Sequence, residues 1–294
     1  MRLDDAPESS NVSDNRGMGG KLALGGGAGG ILLVVLGLIF GVDLGGGQRA
    51  AGPPGEAPRD GYDKFARQVL GTTEAVWAEQ FKTHKYENGK YVPPKMVLFS
   101  EGVQTKGCGS APSSVGPFYC PADQTVYLDP TFFDELEKKL GGSKAEFSQA
   151  YVIGHEVGHH VQNLLGYSAR TDAKRKSKQE NEFSIRLELQ ADYLAGVWAH
   201  HADKKYKIIE KGDVEEALKS ARAIGDNRIQ EKMKGKSWPE SFNHGTDRQR
   251  YAAFSNGLKT GDASKTKLNQ YFDEGQTPFN PRTGELDNAA LFPK

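Results

Sequence analysis

Between Leu22 and Val42 the chain runs for 21 residues without a charge. At about 1.5 Å per residue a helix of that length reaches roughly 30 Å, the thickness of a bilayer core. The pattern therefore predicts one transmembrane helix over 21–43, with a buried core helix and a cleaved leader as the competing readings. Before it, residues 1–20 are polar and predict a disordered tail. After it, "GGGQRAAGPPGEAPRDG" places a Gly/Pro-rich linker over 44–61. A folded domain is expected over 62–294. Arg16 and Lys21 stand close before the apolar stretch, whereas Arg49 is the first basic residue after it. That bias favours a single-pass protein of the cell or inner membrane, its N-terminus cytoplasmic and its folded domain on the extracytoplasmic side.

Within the folded part the apolar positions change period. Phe65, Val69, Val76, Trp77 and Phe81 recur at helical spacing. "KMVLFS" (95–100) and "QTVYLD" (124–129) are short β-prone runs bounded by turn residues. "PTFFDELEKKLGG" begins with Pro130, carries acids early and lysines late, and predicts a capped helix. In "SKAEFSQAYVIGHEVGHHVQNLLG" Ser143 and Glu146 are spaced as a capping box and Gly166 is the stop. Helical segments and short β-prone runs thus share this part of the chain.

Charge narrows the possibilities. Thirty-eight basic and 38 acidic side chains cancel, so no overall field calls for nucleic acid. The two cysteines, Cys108 and Cys120, flank a Gly/Ser/Pro-rich loop. In an oxidising compartment they would pair, stabilising the fold by about 2–4 kcal/mol; in the cytosol they would stay reduced. Two thiols without a Cys-x-x-Cys argue against a thiolate metal site.

The chemistry lies in "HEVGHH". His155 and His159 are one helical turn apart and share a face, so two imidazoles can reach one ion. Glu156 is rotated about 100° from them, which suits it to take a proton from an attacking water rather than to ligate. A catalytic zinc needs one more protein ligand. Downstream, Phe183, Ile185, Leu187, Leu189, Tyr193, Leu194 and Val197 mark a mostly buried helix that also carries Glu188 and Asp192, four residues apart. Charged groups in such a helix are costly unless paired or metal-bound. Glu188 is the expected third ligand and Asp192 the acceptor that orients a liganding histidine. Ala191, Ala195 and Gly196 keep that helix slim enough to approach the His155 helix.

The two motifs together, "HEVGHH" and "LELQADYLAG", with the glycine-rich apolar stretch and "YCPADQTVYLD", resemble the bacterial neutral zinc metallopeptidases of the YpfJ type, within the gluzincin branch. The resemblance implies a zincin-like α+β fold with the active-site helix beneath a small sheet, Zn2+ as cofactor, and a peptide or protein substrate. It also implies that "QTVYLD" is the edge strand along which an extended peptide lies. In "NHGTDRQRYAAF", His244 followed six residues on by Arg250 is similar to the gluzincin histidine that stabilises the oxyanion. Gly245 departs from the proline usual there, and a histidine capping the "TDRQRYAAF" helix is the competing reading. His160 is expected to be structural, and His200 and His201 to sit at a helix end.

No nucleophile elbow, no P-loop and no strand–G-x-G-x-x-G–helix unit occurs. The sequence thus predicts a membrane-anchored zinc peptidase with His155, His159 and Glu188 on the metal and Glu156 and His244 catalytic. The alternative of another class is a zinc-stabilised, membrane-tethered scaffold without turnover.

Overall fold

The computed structural model describes residues 1–17 and 60–272. The expected transmembrane helix over 21–43 and nearly all of the linker lie outside the described residues. Among the described residues no helix is long and apolar enough to cross a membrane.

Helix α1, Tyr62–His84, buries Ala66, Val69, Leu70, Val76, Trp77 and Phe81, the three- and four-residue rhythm of its sequence. Beside it lies a four-stranded sheet of β1 (Val12–Asp14), β2 (Lys95–Leu98), β5 (Phe118–Cys120) and β6 (Thr125–Leu128), in the order β1-β2-β6-β5. β1, β2 and β6 run parallel, and β5 pairs antiparallel to β6. β3 (Gly102–Gln104) and β4 (Ser110–Pro112) form a separate hairpin. The Cys108–Cys120 disulfide ties the turn of that hairpin to β5.

"QTVYLD" is not an edge strand: β6 is paired on both sides, with β2 and β5, and all four of its residues are buried. The edge is β5. Residues 1–17 are not a disordered tail. Val12 pairs beside Met96 and is 4% exposed, and the open main chain of β2 gives these polar residues hydrogen-bond partners that composition alone cannot reveal.

After β6, α2 (Phe132–Glu135) passes into a π-helical turn over Leu136–Leu140, and Gly141 ends it with φ 75°. Helix α3, Glu146–Leu164, which carries His155 and His159, is next, followed by α4 (Tyr167–Asp172) and the long α5 (Glu180–Tyr206). The expected capping box at Ser143 does not form. Glu146 opens the helix, and the Ser143 hydroxyl accepts from the Ala145 amide while its own amide donates to Ser220. α6 (Asp213–Ala223), α7 (Asp226–Lys234), α8 (Asp247–Thr260) and α9 (Lys265–Asn269) complete the described chain.

α5 is the central post. It packs against α3 on one side and α8 on the other, with Trp198 wholly buried and its indole N–H donating to Thr72 of α1. The contact with α3 is made at backbone distance: a Cβ on Gly158 would stand 2.9 Å from the carbonyl oxygen of Ala191. Gly196 serves the other side, where a Cβ would meet the backbone of Phe254 and Leu258 in α8.

Candidate metal centre

The 3.6-residue period brings His155 and His159 to one face of α3 with ring centroids 4.7 Å apart. The close α3–α5 contact sets Glu188 opposite them. His155 Nε2 lies 3.3 Å from one Glu188 oxygen, and His159 Nε2 lies 3.5 Å from the other. Ligands about 2.0–2.1 Å from a tetrahedral zinc are separated by roughly 3.4 Å, so these spacings match the edges of a zinc coordination polyhedron. One ligand atom from each of the three residues lies within 4.8 Å of the others, and all three residues are buried.

Each imidazole is turned by a partner on its far side. His155 Nδ1 lies 2.9 Å from Asp192 Oδ1. Asp192 also accepts from Tyr151 Oη at 2.6 Å and from two donors of Arg250, so it stays a carboxylate although fully buried. Burial alone would raise its pKa; Arg250 and His155 reverse that and lower it. His159 Nδ1 meets Gln162 Oε1 at 2.8 Å. The Gln162 amide nitrogen donates to Leu187 O and Gln190 Oε1, which fixes the amide's orientation and makes His159 Nδ1 the donor. Both histidines thereby present Nε2 toward Glu188.

Two bare ring nitrogens facing a carboxylate repel unless a cation sits between them. Burial disfavours a charge on His155, but Asp192 and Glu188 outweigh it and raise the group to about 9. Glu188 is held far below the usual carboxylate range, because His159 and His155 overcome the cost of its burial. A proton and a metal ion answer the same negative field, so metal binding displaces that proton. The donor set fits zinc.

Glu156 lines the same cavity as the three ligands, together with Tyr151, His244 and Arg250. It is 7% exposed, and burial raises its carboxyl, with the two imidazoles pulling the other way. Val115, Pro117, Phe118, Phe132, Val152 and Ile224 make the rest of the wall apolar.

His244 reaches the cavity from the loop before α8. It does not cap that helix: Thr246 does, in a capping box with Gln249. Its Nδ1 lies 3.0 Å from Asp226 Oδ1, while Asp226 Oδ2 accepts the amides of Asn243, His244 and Gly245. His160 faces away, between Tyr119 Oη and Val92 O, and joins α3 to the sheet. His200 and His201 do not end their own helix; they bond Leu258 O and Gly261 O at the end of α8.

Tyr151, Gln162 and Asp226 were not expected at this site. Gln162 follows His159 by three residues on the same helix face, a signal available in the sequence. Asp226 lies 18 residues before His244 with a helix and a loop between, and no periodicity links them.

A helical pair of histidines, a carboxylate from a second helix and a buried glutamate between them define the zinc metallopeptidase class. The chain belongs to the family described as "Putative neutral zinc metallopeptidase", whose model matches residues 1–268. It is 41% identical over 286 residues to "Uncharacterized protein YpfJ" of Escherichia coli K12, covering 90% of this chain and 97% of that protein. To "Uncharacterized protein Rv2575" of Mycobacterium tuberculosis it is 44% identical over 181 residues, 58% of this chain and 61% of that one. No solved structure matches it.

Proposed function

We propose that this chain is a zinc-dependent endopeptidase, attached to a membrane through residues 21–43. The observation that carries the reading is the meeting of His155, His159 and Glu188 with the carboxyl of Glu156 in one cavity. Zinc, when bound, supplies a Lewis acid that acidifies water and polarises the scissile carbonyl.

The protein's own groups do the rest. Glu156 takes a proton from the attacking water and later hands it to the leaving amine. Burial raises its carboxyl, which brings the acid form within reach for the second of those steps. His244, steadied at Nδ1 by Asp226, offers its other ring nitrogen to the oxygen that becomes negative. Asp192 and Gln162 hold the two imidazoles in the tautomer that leaves Nε2 free. The apolar wall around Phe118, Phe132 and Ile224 suits a substrate with an apolar side chain next to the scissile bond.

Glu156→Gln tests the assignment. The variant should retain about one zinc per chain by metal analysis and lose hydrolysis of an unstructured protein substrate by at least about 10²-fold. Equal turnover by the variant removes Glu156 from the reaction. A zinc-loaded wild-type chain that cleaves no member of a peptide library points instead to a scaffold without turnover.

A further inference from the structure

The first 17 residues are stitched to the catalytic domain along two of its elements. Beside β2, Val12, Ser13 and Asp14 pair with Met96, Val97 and Leu98, and Met96 N donates to Asn11 O while Asn15 N donates to Leu98 O. Along α1, the Ser9 amide donates to Arg67 O, the Arg67 guanidinium donates to Val12 O, and Glu74 accepts from both Ser9 Oγ and Asn11 Nδ2. Arg16 closes the junction. It bridges Asp14 at 2.6 Å and Asp60 at 2.7 Å, and its guanidinium lies over the Tyr62 ring.

That last pair matters for topology. Residue 17 leaves the described body, and residue 60 rejoins it, on either side of one ion pair. The stretch between them contains the uncharged run Leu22–Val42. A single crossing of a bilayer by that run would put residues 1–17 and the catalytic domain in different compartments, and every contact above would be lost. The family match also begins at residue 1, so the N-terminal segment belongs to the shared pattern. The disulfide suits an oxidising compartment for the domain, which is where the segment must then lie.

We infer that residues 1–17 are an integral strand segment of the catalytic domain and share its side of the membrane, so that residues 18–59 join two points on one face instead of linking two compartments. This replaces the arrangement with a cytoplasmic N-terminus. It does not depend on the peptidase reading, because no residue in the argument touches the metal centre.

The helix α1 contains a built-in probe of the docking. A Cβ at Gly71 would stand 2.1 Å from Pro7 O and 3.1 Å from Ser9 N. Alanine in a helix interior normally stabilises relative to glycine. With the segment seated, Gly71→Ala in the full chain should instead lower Tm by several degrees, and hydrogen exchange at Val12–Asp14 should speed up at least tenfold. A rise in Tm without faster exchange would overturn the docking. Sidedness is read separately. Ser10→Cys and Lys64→Cys, both at exposed positions, are made singly in the full chain and treated in sealed spheroplasts with a membrane-impermeant maleimide. Both should label alike. Labelling of one position and protection of the other would refute the shared side.

Discussion

Arg250 grips Asp192 with two donors, Nε to Oδ2 at 2.8 Å and Nη2 to Oδ1 at 3.0 Å, and both side chains are buried. The pair is an anchor for His155, since the same Asp192 oxygen receives the imidazole Nδ1 and the Tyr151 hydroxyl. Zinc affinity should therefore depend on a residue that is not a ligand. Asp192→Asn and Arg250→Ala should each weaken zinc binding about 10- to 100-fold in a chelator competition. Arg250→Ala should also lower Tm, because it strands a buried carboxylate. Unchanged zinc affinity in both variants would mean that His155 is oriented by packing alone.

Asp226 and His244 should behave as one unit. Asp226→Asn and His244→Ala should each lower kcat by about 10²–10³-fold with zinc content intact, and the double variant should be little worse than either single one. Additive losses would separate the two residues functionally.

The disulfide staples the β3–β4 turn to β5, the strand whose Phe118 lines the cavity. Replacing both cysteines by serine should cost about 2–4 kcal/mol of stability. It should also raise KM more than it lowers kcat, because the wall of the cleft loosens while the metal ligands on α3 and α5 stay put. Thermal melts and steady-state kinetics on the double variant check both.

His160 carries a pH signature. Burial holds it down to about 4, against 6.5 for the free side chain, with only the Val92 carbonyl opposing. The folded state keeps it neutral, while the unfolded chain takes up a proton below about 6.5. Its contribution to stability is thus complete above pH 6.5, falls as pH drops toward 4, and is flat below that, a loss of up to about 3 kcal/mol. The neighbouring metal ligands titrate too, so the readout is a difference: His160→Gln should flatten the Tm profile between pH 6.5 and 4 relative to the unaltered chain.

Much of the site is legible in the sequence, and the reason is periodicity. His155, Glu156 and His159 are fixed relative to one another by one helix, and Glu188 and Asp192 by another. The approach of the two helices was signalled by small residues, with Ala191 meeting Gly158 as expected and Gly196 turning to α8 instead. What failed had no period to follow. Asp226 meets His244 across a loop. β1 and the residues before it are held by main-chain pairing and by polar contacts to Arg67 and Glu74, which leave no hydrophobic pattern, so the sequence of this polar segment reads as unstructured. The place of "QTVYLD" is hidden for a related reason: strand order depends on crossovers, and a six-residue run says nothing about its neighbours.

The contact between Gly158 and the Ala191 carbonyl has a bearing on how such a protein can lose its metal. The reach from the imidazoles to Glu188 is a bond-length matter, yet it is governed by how near two backbones can come. One added methyl group at position 158 would push the second helix outward by tenths of an ångström, enough to spoil coordination while every ligand remained in the sequence. Inactive relatives should therefore be sought among chains with an intact ligand set and a bulkier residue at this crossing point.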